Sequence, residues 1–283
     1  MIPQVVFDGA HLRVVLYPGN PRLLMVTLDW RRDGKDQFSP DTYATNFARM
    51  GYAQLNIKTR ANDWFINPDT AAMELVLTGL APAFGRVQML GFSMGGYGAL
   101  RFAKALGASS VVAVSPQWSI HPDQARFETR YRAEAAGFDP GIGDLAPRAE
   151  PGLRGLILLD PFERADLLHA RRIQTVFPGL RLVRLNFGGH PGFGIVREAG
   201  QSGTVYQAAA SKRPGPALIL AAHRAGRRSS ANYWLRLEAQ AGPRRPVLAQ
   251  LATARAGALD PGGCRKQTPG LRQMGVDGAG ESP

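Results

Sequence analysis

The segment Gly91-Phe92-Ser93-Met94-Gly95-Gly96-Tyr97-Gly98 constrains this chain more than any other. An apolar run at 87–90 leads directly into it, and a stretch rich in small residues, 94–106, leads out to Gly107. The reading is a buried parallel strand, a sharp turn and a helix, with the serine on the turn. Such a turn strains the serine backbone and presses Gly91 and Gly95 against each other and the neighbouring strand, where a Cβ would clash. Gly96 and Gly98 then let the helix lie close to the sheet. In a chain with 33 glycines the pattern G-x-S-x-G takes its meaning from that strand and helix. A dinucleotide-binding turn does not fit, because the spacing is not G-x-G-x-x-G and the element follows the fifth strand rather than the first.

The rest of the chain supplies a sheet for this turn. Residues 4–8, 11–17 and 22–30 read as strands separated by Asp8-Gly9 and by Pro18-Gly19-Asn20-Pro21. Ser39-Pro40-Asp41 opens a helix over 41–50 that stops at Gly51, residues 53–57 form a strand, and Asn67-Pro68 starts a second helix running towards Pro82. Strands at 86–90, 110–115, 156–159 and 180–186 alternate with helices at 94–106, 166–173 and 203–210. Strands and helices in alternation imply an α/β fold, a mostly parallel sheet with helices on both faces.

Residues 117–155 interrupt the alternation: they are polar, rich in Pro and Gly, and carry one short helix around 125–136. An insertion this long inside a compact domain is usually functional, most often a lid. One domain is therefore expected over 1–212, followed by a helical extension over 213–262 with helices at 231–239 and 247–259. That pair resembles a single tetratricopeptide-type hairpin, but one copy without a second favours a plain helical extension. The tail, 263–283, has too little apolar surface to order itself.

The formal charge of +12 invites a nucleic-acid reading, but 11 Lys and Arg against 4 Asp and Glu fall in residues 213–283, an excess of 7 outside the sheet domain. With no nucleic-acid motif beside it, the excess reads as a solvated basic tail and no nucleic-acid partner is expected. No apolar run approaches the roughly 18 residues of a membrane span, and the first residues lack the marks of a leader. The single cysteine, Cys264, fits a reducing compartment, so a cytoplasmic location is expected.

A serine hydroxyl needs a base within reach, and histidine has the suitable pKa. Among five histidines, His190 alone lies on the loop after the last strand, at the same edge of the sheet as Ser93. His11 and His169 fall within a strand and a helix, His121 opens the insertion, and His223 lies in the extension. The acid should come from the loop after strand 156–159, which reads Asp160-Pro161-Phe162-Glu163-Arg164-Ala165-Asp166. Asp166 is favoured over Asp160 and Glu163, although it could instead cap the following helix and Asp160 could simply begin an Asp-Pro turn. The amide of Met94, at the start of the helix after the serine, points at a developing oxyanion.

With Ser93, the acid loop and His190 in this order, the chain resembles the α/β-hydrolase superfamily over about residues 1–212. Residues 91–100, with Asn62-Asp63-Trp64 upstream and Ser115-Pro116-Gln117 downstream, look more narrowly like poorly characterised bacterial hydrolases, some of which accompany polysaccharide or cell-surface biosynthesis. One departure stands out. Many members carry a His-Gly pair after the third strand to supply a second oxyanion amide, where this chain has Leu28-Asp29-Trp30-Arg31; the main-chain amide of Trp30 or Arg31 could serve instead.

The expected chemistry is hydrolysis of a carboxylic ester through an acyl-enzyme, with no metal or organic cofactor. Trp64, Phe65, Trp118 and Phe127 flank the expected crevice as candidate substrate contacts. The substrate class is a small-molecule ester or an acylated saccharide, with the helical extension as a possible surface for a protein partner. Two rivals stand beside this reading: an acyltransferase that passes the acyl group to an alcohol, and a catalytically silent binding module.

Overall fold

The structure, a computed structural model, describes residues 2–260; the expected disordered tail, 263–283, and Cys264 within it lie outside the described residues. Eight strands form one sheet: β1 (Gln4–Asp8), β2 (Leu12–Tyr17), β3 (Asn20–Leu28), β4 (Tyr52–Thr59), β5 (Val87–Phe92), β6 (Ser110–Val114), β7 (Arg154–Leu159) and β8 (Leu180–Arg184). Their order is β1-β2-β4-β3-β5-β6-β7-β8. β2 runs antiparallel to β1 and β4, and every other neighbouring pair is parallel. The helices are α1 (Thr45–Arg49), α2 (Thr70–Leu80), α3 (Met94–Phe102), α4 (Arg132–Ala135), α5 (Pro140–Gly143), α6 (Arg164–Val176), α7 (Gly194–Glu198), α8 (Gly203–Ala210), α9 (Ala217–Gly226), α10 (Ala231–Ala241) and α11 (Pro246–Leu259). This is an α/β-hydrolase-like fold, with an insertion between β6 and β7 and a helical extension at the C-terminal end.

The apolar runs of the central strands follow from burial on both faces. In β6, Val111 and Ala113 enter the core shared with α2, α3 and α6, while Val112 and Val114 enter the opposite core under α1, α7, α8 and α9. The chain order reverses at β3, so the C-terminal ends of β3 and β5 border the crevice where ligands bind in open α/β sheets.

The helix expected over 41–50 shrinks to α1, because polar side chains of β4 capture the preceding backbone in an extended form. Gln54 forms a reciprocal pair with the main chain of Ala44, at 2.8 and 3.0 Å. The Lys58 ammonium donates to the carbonyls of Ser39 and Pro40, both at 2.9 Å, and pairs with Asp41. Residues 54, 56 and 58 share one face of the strand, and Asn56 adds a bond to the Thr42 carbonyl. α2 likewise starts at Thr70 rather than at Pro68, since the Asn67 carboxamide accepts from Asp69 N at 3.0 Å in a local turn.

The insertion holds the short α-helices α4 and α5 and a 3-10 turn at Ala146–Arg148, and only residues 132–135 of the expected helix over 125–136 are α-helical. It is nevertheless packed: Ala125, Glu128, Tyr131, Phe138 and Leu145 are buried, and Tyr97 of α3 donates to the Gly143 carbonyl at 2.7 Å. α9, unforeseen in the sequence, sets Ile219 and Ala222 into the second core. α10 and α11 form the hairpin, and α10 reaches back to the loop after β8, where Tyr233 meets the ring of Phe187 edge-on at 5.3 Å. Among the described residues no helix is long and apolar enough to cross a membrane.

At the turn after β5, a Cβ on Gly91 would sit 2.1 Å from the Gly95 carbonyl oxygen. Backbone cannot yield as a flexible side chain can, so Gly91→Ala is expected to cost at least about 4 kcal/mol, or roughly 10 °C of Tm for a chain of this size. Thermal melting followed by circular dichroism checks this; an unchanged Tm would contradict the packing of the turn.

Candidate active site

Ser93 stands between β5 and α3 with φ 50° and ψ −117°, a conformation that L residues rarely adopt. The turn is fastened by Ser93 N, which donates to the Val114 carbonyl of β6 at 2.8 Å. Among the described residues four other non-glycine positions have positive φ: Trp64, Phe65, Ser115 and Phe187. All five follow the C-terminal ends of β4, β5, β6 or β8, so the backbone strain of this fold collects at one rim of the sheet.

His190 comes to that rim on the loop after β8. Two backbone amides of the loop are held by buried side chains of neighbouring elements: Gly189 N donates to Asp160 Oδ2 at 2.9 Å, and Gly192 N to Ser115 Oγ at 3.0 Å. The imidazole then bridges two partners, with Nε2 2.9 Å from Ser93 Oγ and Nδ1 2.7 Å from Asp166 Oδ2. An ionised carboxylate only accepts, so Nδ1 carries the proton and Nε2 presents a lone pair to the serine hydroxyl.

The three acids of the β7–α6 loop have separate duties. Asp166 lies in the first turn of α6, and its carboxylate takes hydrogen bonds from His190 and from Arg130 at 2.8 Å rather than capping the helix. Burial works to raise its pKa, but the neighbouring His190 and Arg130 overcome that and hold it down at about 2. Asp160 accepts from the amides of Phe162 and Gly189, at 3.0 and 2.9 Å, and burial pushes its pKa up. Glu163 pairs with Arg236 of α10 at 2.8 Å.

The segment after β3 is clamped on both sides of Trp30 and Arg31. The Asp29 carboxylate accepts from Ser39 Oγ at 2.8 Å and Thr59 N at 3.2 Å and pairs with Lys35 at 3.1 Å. Beyond Arg31, the Asn62 carboxamide makes a reciprocal pair with the main chain of Arg32, at 3.1 and 2.7 Å. Among the described residues the amides of Trp30 and Arg31 have no acceptor. This segment touches the start of α3: a Cβ on Gly95 would lie 2.7 Å from the Asp29 carbonyl oxygen. Met94 N, at the first position of α3, has no acceptor within its own helix.

Gln117, quoted in the sequence without a role, and Tyr131, not singled out there, complete the site. Gln117 donates to Ser93 Oγ at 3.4 Å and to the Ser115 carbonyl at 3.1 Å, and accepts from the Trp64 indole at 3.0 Å. Trp64 is thus buried behind the serine, with its ring 4.7 Å from that of Tyr131. The Tyr131 hydroxyl lies 3.2 Å from His190 Nε2. Under Tyr131 and Gln117, Ser93 is only 1% exposed.

The other expected contacts sit further out. Phe65 is fully buried against Phe102. Trp118 donates its amide to His169 Nδ1 at 3.0 Å, and Phe127 lies against the His169 ring. A mainly apolar cavity opens nearby between α1, α8 and the ends of β3 and β4, lined by Trp30, Phe47, Leu90, Phe92 and Tyr206; neither Ser93 nor His190 lines it.

No family model matches the chain, and no curated protein matches it. Solved structures resemble it distantly. A capsule O-acetyltransferase of Neisseria meningitidis serogroup A, in complex with CoA, is 15% identical with a TM-score of 0.49 and covers 69% of this chain and 92% of its own. Est1E from Butyrivibrio proteoclasticus, with ferulic acid bound, is 14% identical with a TM-score of 0.46, covering 72% and 98%. FphF, a fluorophosphonate-binding serine hydrolase of Staphylococcus aureus, is 13% identical with a TM-score of 0.41, covering 65% and 89%. At such identities the likeness is one of fold and carries no substrate with it.

Asp166 and Glu128 both have pKa values of about 2 in the folded chain, against roughly 4 when unfolded. Between those values the unfolded chain binds more protons, so stability is full above about pH 4 and falls as pH drops towards 2. Melting curves across that window should show a declining Tm, and Glu128→Gln should make the decline shallower. A decline as steep as in wild type would contradict the assignment of Glu128 as a strongly paired carboxylate.

Proposed function

We propose that the chain is a serine hydrolase that cleaves a carboxylic ester through an acyl-enzyme. The observation that carries this reading is the hydrogen-bonded chain Ser93–His190–Asp166, with the serine on a strained turn at a helix start and the correct imidazole nitrogen facing it. As Ser93 Oγ attacks the ester carbonyl, His190 Nε2 takes the hydroxyl proton and Asp166 stabilises the resulting imidazolium. The carbonyl oxygen becomes an oxyanion, held by the amides of Met94 and of Trp30 or Arg31; losing one such donor costs about 3 kcal/mol of transition-state stabilisation. The tetrahedral centre then collapses, and His190 returns the proton to the departing alcohol. A water, deprotonated by the same nitrogen, finally attacks the acyl-enzyme and regenerates Ser93.

In the closed arrangement the Tyr131 hydroxyl stands within hydrogen-bond distance of His190 Nε2, the atom that must receive a proton from the attacking water or alcohol. Substrate entry therefore requires Tyr131, and the insertion that carries it, to move off the serine. An acceptor alcohol, such as a sugar hydroxyl, would use the same opening, which keeps acyl transfer as the second reading. Product partition in added acceptor alcohols separates the two readings, since strict hydrolysis at high acceptor removes the transferase.

A fluorophosphonate probe tests the reading. It should label the folded protein at Ser93, and Ser93→Ala should take no label. Asp166→Asn should slow turnover of an ester by roughly 10³–10⁴-fold, while Asp160→Asn, whose target is the main chain of the His190 loop, should lower Tm and slow turnover much less. Tyr131→Ala should speed labelling severalfold. Absence of label on the wild-type serine, or label that survives in Ser93→Ala, would sink the proposal.

A further inference from the structure

Resting on the serine-hydrolase reading, we infer that Arg130 is a positioning residue that acts through Asp166 to set the proton affinity of His190, and that Glu128 sets how much of the arginine's charge is felt there. Arg130 NH1 donates to Asp166 Oδ1 at 2.8 Å, the oxygen that His190 leaves free, so the acid is shared between a permanent cation and the base. When the imidazole takes up the serine proton, the guanidinium already occupies part of the charge that would stabilise it. The arginine therefore works against the imidazolium, which, once formed, gives its proton more readily to the leaving alcohol.

Arg130 is itself built into place. Glu128, fully buried, accepts from Arg130 NH2 at 2.6 Å, from Nε at 3.0 Å and from the main-chain amide at 2.8 Å. Its other contact is His169 Nε2 at 2.9 Å. His169 Nδ1 accepts from Trp118 N, so Nε2 carries the proton and His169 is neutral when it donates to Glu128. Burial works to lower the pKa of His169, which keeps it in that form.

The Ser115 hydroxyl, on the turn after β6, also faces the Asp166 carboxylate. The Ser93 and Tyr131 hydroxyls face the His190 imidazole from the β5–α3 turn and the insertion. Asp160 holds Gly189 from below, and the Arg236–Glu163 pair lies over the same glycine from α10 and the start of α6. The Arg31–Glu134 pair flanks the Tyr131 ring. Among the described residues Arg130 alone places a permanent cation on Asp166.

The test is the pH dependence of fluorophosphonate labelling at Ser93 for wild type, Arg130→Gln, Arg130→Lys and Glu128→Gln. Removing the cation in Arg130→Gln should move the acid-side midpoint up by roughly one pH unit, and Arg130→Lys should restore the wild-type midpoint. Removing the anion in Glu128→Gln should move the midpoint the opposite way, to lower pH. Opposite shifts cannot come from a merely structural loss, which changes the height of the profile and not its midpoint. Should Arg130→Gln fail to fold, the downward shift in Glu128→Gln carries the test alone. Coincident midpoints in labelled wild type and variants would overturn this inference alone, whereas wild type that takes no label removes the hydrolase reading with it.

Discussion

The close approach of Gly91 and Gly95 across the turn after β5 is the constraint from which the rest of the site follows. With no side chain on either residue, the chain reverses sharply enough to lift Ser93 above the sheet edge while α3 packs against β3 and β6. The same contact brings the first amide of α3 beside the Asp29–Arg32 segment, so the position of Ser93 and the main-chain amides proposed to face the oxyanion arise from one piece of backbone geometry. A bulkier residue at either glycine would separate these groups by more than the fraction of an ångström that the proposed acyl-enzyme chemistry tolerates.

Around that turn the molecule divides its carboxylates by environment. Asp160 is spent on main-chain amides and fixes where the His190 loop runs. Asp166 is buried against His190 and Arg130 and stays ionised. Glu128 neutralises Arg130 from the far side. A buried charge network of this kind adds little net stability compared with apolar packing, but breaking one member of it is costly. Its persistence fits a role in holding the imidazole in one orientation and one tautomer.

The sheet, the turn and the pair Ser93–His190 were legible in the sequence because each is written locally: apolar runs of strand length, glycines at fixed offsets, a histidine after the last strand. Within one short loop Asp166 was favoured over Asp160 and Glu163, and the path of α6 is what sets its carboxylate against His190. The helix expected over 41–50 failed for a related reason, since Gln54, Asn56 and Lys58 of a later strand claim the backbone that local signals would have made helical. Glu128, Arg130 and Tyr131 were invisible because they sit on irregular backbone and meet partners 41, 36 and 59 residues away. The helix expected over 125–136 would have spread these side chains around its faces; a carboxylate, a guanidinium and a phenol within four residues of the insertion were the hint.

In the proposed mechanism Ser93 carries the acyl group during turnover. Quenching the protein in acid while it consumes an activated ester, then mapping the modified peptide by mass spectrometry, tests it without any inhibitor. The account requires one acyl group on the peptide containing Ser93, lost over time as water attacks. Ester consumption with the acyl group on another residue, or with no acylated peptide at all under conditions that trap the intermediate, would contradict it.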